Sequence, residues 1–170
     1  MEEILIRPAK AEDTEGIMAH RVGIASEPDT YVSYTAEEAN RAVEKEREKI
    51  IKQLKEGDLC LVAVSEDRII AEIGCSIDHS FSITCHTAVL GMSVERNYRN
   101  RGIGSKMMEE AIKWAQGKRV VRLELEVYAE NGPAIHLYEK NGFEVEGRKR
   151  KYAKQRGRYY DSLIMSRLFG

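Results

Sequence analysis

The feature that most constrains this chain is a change of hydrophobic period near its middle. Leu59 to Ser65, Ile69 to Ile77 and Thr84 to Val94 are short runs rich in Val, Ile and Leu. They are parted by Glu66-Asp67 and by a polar turn around Asp78-His79-Ser80, so they predict three antiparallel strands in a meander. Beyond Arg99 the order becomes a Gly-rich turn, a helix (Ile103 to Gln116), a strand (Val120 to Val127), a turn, a helix (Pro133 to Lys140) and a strand (Phe143 to Arg148). Strand, helix, strand requires a crossover and a locally parallel pair. Tyr159 to Leu168 alternates loosely and should return antiparallel to Phe143–Arg150. The expected class is α/β (α+β), a mixed and mostly antiparallel sheet of about six or seven strands with helices on both faces.

Upstream, Ile4 and Ile6 predict a short strand ended by Pro8. Asp13-Thr14 can cap a helix that carries Ile17, Met18, Val22 and Ala25 on one face. A second helix is expected from Thr35 to Lys55, with Ala39, Val43, Ile50 and Leu54 inward and its charges on a solvated face. The loop between them, Glu27 to Tyr34, holds Pro28, Tyr31 and Tyr34. No repeat or linker interrupts these segments, and 170 residues suit one domain.

With 27 Lys and Arg against 28 Asp and Glu, the chain is not uniformly basic, so any anion site must be local. Its longest apolar run, Leu59 to Val64, falls far short of the roughly 20 residues that cross a bilayer. The acidic start does not resemble a signal peptide, and a cytoplasmic location is expected. Cys60, Cys75 and Cys85 lack Cys-x-x-Cys spacing and read as reduced core or near-core thiols on strands. His20, His79, His86 and His136 are scattered without zinc spacing, so no metal is expected.

The chemistry-bearing stretch runs from Val89 to Ser105. A strand enters a loop holding Arg99, Arg101, Gly102 and Gly104, and an amphipathic helix starts there. Free N–H groups and the positive dipole end at a helix start favour phosphate, and glycines let it approach the backbone. The turn lacks the glycine pattern of a dinucleotide fold and the Gly-Lys-Ser/Thr end of a P-loop.

Arg99-x-x-Gly102-x-Gly104 after a strand resembles the Arg/Gln-x-x-Gly-x-Gly/Ala signature of the GNAT superfamily of acetyl-CoA-dependent N-acetyltransferases. Downstream, Asn131 to Phe143 resembles the second motif of that family: an Asn, a short helix with Tyr138, and a Gly142-Phe143 entry to the next strand. The resemblance covers residues 59 to 168 well and 1 to 58 only in layout. It implies a single N-acetyltransferase domain over 1–170, with variable acceptor-side helices in 1–58, a cofactor-binding core in 59–168 and a splayed central strand pair. The segment from Phe143 to Met165, with Glu146-Gly147, Arg150, Gly157-x-Tyr159-x-Asp161 and Met165, looks like the bacterial branch with ribosomal-protein, polyamine and small-amine acetyltransferases.

By that resemblance, acetyl-CoA is the co-substrate. The backbone of Met92, Ser93 and Val94 would flank the pantetheine arm, with the Met92 N–H as an oxyanion donor. Arg99, Asn100, Arg101, Gly102, Ile103, Gly104 and Ser105 would hold the diphosphate, with Arg99 and Arg101 adding charge. Asn131 would lie near the cofactor arm or cap the helix at Pro133. Tyr138 would face the thioester sulfur and protonate the leaving thiolate. No base stands out; His86, Glu72 and Glu126 are the candidates. The acceptor, a small-molecule or peptide amine, would lie among Ile24 to Tyr34, Asp78–Ser82 and Lys154–Tyr160. A homodimer is allowed, and a non-catalytic acyl-CoA-binding module on the same fold is the alternative. Seven basic residues between Gly147 and Arg158, read without interleaved stacking aromatics, suggest a solvated hairpin rather than a nucleic-acid surface.

Overall fold

The computed structural model describes residues 3–28, 30–41 and 43–170. Seven strands form one sheet: β1 (Leu5–Pro8), β2 (Leu59–Ser65), β3 (Arg68–Ile77), β4 (Thr87–Val94), β5 (Arg122–Tyr128), β6 (Glu144–Gln155) and β7 (Arg158–Leu168), in the order β1-β2-β3-β4-β5-β7-β6. The helices are α1 (Thr14–Ser26), α2 (Ala36–Arg41), α3 (Val43–Glu56), α4 (Ile103–Gly117) and α5 (Gly132–Lys140). The mixed, mostly antiparallel sheet is the expected class. α2 and α3 cover the helix predicted over Thr35 to Lys55, and Ala42 lies outside the described residues. The third meander strand begins at Thr87, because residues 82–86 turn rather than extend.

Residue contacts gather in two compact units. The first comprises Met1–Ser76 and Met92–Ala111. Here β2 pairs antiparallel with β1 and with β3. Ile17 of α1, Ile50 of α3, Val62 of β2, Ile69 of β3 and Ala9 form one buried cluster, with Leu54, Cys60 and Val64 packed on it. Each buried Ile or Val side chain contributes about 1.5–3 kcal/mol, so this cluster joins the helices to the strands. On α1 the inward face is Thr14, Ile17, Met18, His20 and Ile24; Val22 and Ala25, expected there, are only half-buried. Asp13 precedes α1 but does not cap it through its side chain. Its carboxylate binds Arg7 at 2.7 and 2.8 Å and the Lys10 N–H at 2.7 Å, a stronger charge-assisted arrangement that holds its pKa below the usual range.

A second feature of this unit is an ionic cluster. Arg21 grips Glu72 through two hydrogen bonds of 2.7 and 2.9 Å and reaches Glu46 at 2.6 Å. Burial works against its charge, and the two carboxylates outweigh that. Burial, reinforced by Glu72, pushes the nearby Tyr34 hydroxyl up to about 12.

The second unit comprises Ile77–Gly91 and Ile112–Gly170. β4 and β5 run parallel, as a strand–helix–strand crossover requires, but their ladder spans only Thr87–Val89 against Arg122–Glu124. β4 then continues to Val94, and β5 stays paired with β7 as far as Tyr128. β6 does not pair with β5 after α5; β7 lies between them, antiparallel to both. Leu123, Leu125, Val127, Phe143 and Met165 fill the core of this unit.

The basic run is the β6–β7 hairpin, turning at Arg156 and Gly157 with φ of 48° and 79°. The reading that it lacks interleaved aromatics needs correction. Tyr152 stands inside it, and Lys149 lies over the Tyr152 ring, Lys151 and Lys154 over Tyr159, and Arg158 over Tyr160. Cys85 is also corrected: it is exposed, in the turn before β4, whereas Cys75 is buried and Cys60 half-buried on strands. Burial raises the Cys60 thiol to about 11 and raises Cys75 as well, so both stay protonated at neutral pH.

Candidate active site

In the first unit, the end of β4 leads through residues 95–102 into α4. Asn100 and Gly102 both take left-handed backbone, with φ of 60° and 79°. Asn tolerates that region and Gly occupies it freely. Ile103, 4% exposed, anchors the turn, and Met107, Met108 and Ala111 bury the inner face of α4. The earliest backbone bond of α4 runs from Lys106 N–H to the Gly102 carbonyl at 3.1 Å, so the N–H groups of residues 102–105 precede the intrahelical ladder. Gly102 is exposed, a Cβ there would meet nothing within 4 Å, and the first turn of α4 contains no acid. An open helix start, led in by two left-handed residues and free of a repelling carboxylate, suits a diphosphate.

The two arginines of the turn stand in different settings. Arg99 donates from Nε to the Val94 carbonyl at 2.9 Å and pairs with Glu27, whose other carboxylate oxygen accepts the Arg96 N–H at 2.9 Å. It therefore braces the loop that carries the cradle, tying the end of α1 to the end of β4. Arg101 is exposed and lies 4.9 Å from the centre of the Tyr98 ring.

On β4, Met92, Ser93 and Val94 are half-buried. Ser93 Oγ is 2.8 Å from Nε2 of His20, a residue 2% exposed on the inner face of α1. The opposite ring nitrogen, Nδ1, is 3.8 Å from Glu95 Oε1 and has no hydrogen-bond partner among the described residues. Burial lowers the pKa of His20; Glu72 and Glu95 oppose that, and Arg21 reinforces it. The unfolded chain therefore takes up a proton near the ordinary 6.5 while the fold resists it, so stability contributed by neutral His20 falls as pH drops below that value. In urea unfolding, the stability advantage of wild type over His20→Gln should shrink between about pH 7 and about pH 5. A pH-independent difference would contradict a buried neutral imidazole.

In the second unit, Asn131 caps α5: its side-chain oxygen accepts the Ala134 N–H at 3.4 Å, and Pro133 sits in the first turn. Tyr138, near the end of α5, is 6% exposed, and its ring packs on Phe143 with centroids 5.9 Å apart. Burial alone raises its hydroxyl to about 12.

The model of the acetyltransferase (GNAT) family matches residues 24–143. The chain is also 32% identical over 169 residues to the L-amino acid N-acetyltransferase AaaT of Escherichia coli K12, covering 99% of each. This chain belongs to the GNAT family of acetyltransferases. A GNAT-family acetyltransferase of Streptococcus pneumoniae superposes with a TM-score of 0.89 at 29% identity, covering 99% of this chain and 100% of that one. A phosphinothricin acetyltransferase from Sinorhizobium meliloti, solved with acetyl-CoA, shares the fold with a TM-score of 0.86 at 18% identity, covering 98% of this chain and 89% of that one.

The three candidate bases of this GNAT acetyltransferase stand in different settings. Glu72 is held bidentate by Arg21. Glu126 pairs with Lys149 and lines an open groove of about 550 Å³ with Val89, Arg122, Glu124, Glu146 and Ile164. Arg122 bridges Glu124 and Glu146 there and, with Ser166, holds Glu146 down at about 2. His86 is exposed in the turn before β4, and its carbonyl accepts the N–H groups of Val121 and Arg122. In the sequence His20 stands as one of four scattered histidines. Its position three residues after Ile17 and four before Ile24, on the apolar face of α1, was the available signal.

Proposed function

We propose that this GNAT acetyltransferase transfers an acetyl group from acetyl-CoA to a primary amine by direct attack in a ternary complex, acting as one domain in the cytoplasm with residues 1–58 on the acceptor side. The single observation that carries the proposal is the open start of α4, with the N–H groups of residues 102–105 free of the helix ladder and Gly102 at φ 79°. In this reading residues 99–105 receive the diphosphate, and the β4 backbone at Met92, Ser93 and Val94 flanks the pantetheine arm. Acetyl-CoA supplies an activated acyl carbonyl and a thiolate leaving group. The Met92 N–H donates to the carbonyl oxygen as charge develops there, and Tyr138 donates to the departing sulfur.

Free L-amino acids are the proposed acceptor class, supported by the full-length similarity to an enzyme named for them. The α-amine of a free amino acid is more basic than the amino terminus of a chain, whose pKa is about 8, so it is protonated at neutral pH and must lose a proton before attack. The rate should therefore rise with pH through the neutral range.

Calorimetry with acetyl-CoA, run beside thiol release over L-amino acids, polyamines, peptide N-termini and matched alcohols, tests this reading. Acetyl-CoA binding with turnover on amino-acid amines is expected. Binding without turnover on any amine would favour the non-catalytic module, and preferential acylation of alcohols would overturn the amine assignment.

A further inference from the structure

His20 is a polar side chain placed where helix periodicity calls for an apolar one. A buried imidazole with one nitrogen unpartnered is a cost that a leucine would not incur, and its other nitrogen is spent on a strand that the proposed function places beside the acyl group. The order Ser93 Oγ, His20 Nε2, His20 Nδ1, Glu95 is that of a hydroxyl, a base that can accept its proton, and a carboxylate that faces the far side of the base. Glu95 is itself fixed by Arg68 at 2.6 Å and by its backbone N–H to the Ile70 carbonyl at 2.9 Å. None of the three residues appears in the two sequence motifs that define the family resemblance.

Resting on the reading of the chain as an amine acetyltransferase, we infer that Ser93 and His20 form the proton exit for the acceptor amine, with Ser93 as the group that touches the amine and His20 acting through it. The acceptor ammonium gives one proton to Ser93 Oγ as Ser93 passes its own hydroxyl proton to His20 Nε2. The amine is left with the lone pair that attacks, and His20 is left as an imidazolium whose Nδ1–H faces Glu95. The second proton leaves the nitrogen as the C–S bond breaks and is balanced by the proton gained at the coenzyme A sulfur. The sum is ammonium plus acetyl-CoA giving amide, coenzyme A thiol and one proton. After the amide product leaves, the same proton returns through Ser93 to water, so the pair ends as it began.

The surroundings of the ring suit this cycle. Burial above all, with Arg21 next to it on α1 as a smaller contribution, disfavours a resident proton, so the ring rests neutral and able to accept one. Glu72 and Arg68 of β3 and Glu95 after β4 are the other charged groups around it; Glu72 and Glu95 favour the imidazolium during the brief time it exists, and Arg68 holds Glu95 in place. Because the side chain of His20 is fully buried, Ser93 is its route of exchange with the acceptor side. The alternative, a plain latch between α1 and β4, would leave the pH dependence of catalysis untouched.

The experiment has a ground-state arm and a kinetic arm. In the free protein, imidazole NMR should find His20 neutral with the proton on Nδ1, so that Ser93 donates to Nε2; a proton on Nε2 would overturn the relay. For the kinetics, profiles of kcat/KM against pH are compared for wild type, His20→Gln and Ser93→Ala with one amino-acid acceptor. His20→Gln keeps a side chain that can bond Ser93 but cannot take a proton. It should lower kcat by roughly 10- to 10²-fold and remove the acid limb due to His20, with acetyl-CoA affinity by calorimetry unchanged. Ser93→Ala, which leaves the imidazole in place, should lose the same limb and serves if His20→Gln does not fold. Wild-type kcat and an intact acid limb in a folded His20→Gln protein would reduce the pair to a latch. An acetyl group trapped on Ser93 after rapid acid quench would make Ser93 a nucleophile and overturn the relay. If wild type binds acetyl-CoA but acylates no amine, the transferase reading itself fails, and that outcome is separate from an active wild type with an unaffected variant.

Discussion

Gly102→Asp should reduce acetyl-CoA affinity by more than tenfold, about 1.4 kcal/mol, in a protein that still folds. The new Cβ would meet nothing within 4 Å, so the substitution brings no clash. The backbone φ of 79° strains a side-chain-bearing residue by about 1–2 kcal/mol, although Asp and Asn tolerate this region better than most. What remains is a negative charge beside N–H groups 102–105, where the proposed function puts two phosphates. Gly102→Asn provides the control, since it carries nearly the same shape and strain without the charge. Calorimetry should show a larger loss for Asp than for Asn. Equal affinities for wild type and the folded Asp variant would remove the cradle from the account.

Tyr138→Phe should lower kcat by roughly 10- to 10²-fold while leaving acetyl-CoA affinity and the packing on Phe143 in place. The size follows from the burial of the hydroxyl. At a pKa of about 12 the phenol stays protonated across the working range, as a donor to sulfur must. A thiol of ordinary pKa, about 8.5, is a stronger acid than that phenol, so complete transfer to sulfur is uphill by several pKa units. The hydroxyl therefore acts mainly through a hydrogen bond that strengthens as charge grows on sulfur, and its removal costs less than loss of a well-matched acid. Wild-type kcat in the folded variant, with chemistry shown to limit the rate, would leave Tyr138 as a core aromatic.

How far the sequence could be read depended on how local each cause is. The switch of period after Val94 is local, and the strands, α4 and α5 fall close to where alternation and helical spacing put them. The cradle was legible because Asn100, Gly102 and the start of α4 are adjacent, and the Asn131 cap because Pro133 follows it. Pairings made by the tertiary fold were not. Glu27 and Arg99 are 72 residues apart, and His20 and Ser93 are 73 apart. Nothing in either local pattern says that Arg99 braces its loop or that a histidine on an apolar helix face meets a serine on β4. The insertion of β7 between β5 and β6 is likewise set by sheet pairing rather than by the order of segments. Cys85 misled because its neighbours Ile83 and Thr84 look strand-like, yet residues 82–86 turn and expose them.

The most direct test of the account follows the acetyl group itself. Acetyl-CoA labelled with deuterium in the acetyl group is incubated with the protein and a mixture of L-amino acids, and the products are resolved by mass spectrometry. The label should appear on the α-nitrogen of one or more amino acids, in step with release of free coenzyme A and with no acetylated protein accumulating. Tight binding of labelled acetyl-CoA with no labelled amide, across amino acids and a wider panel of amines, would contradict it.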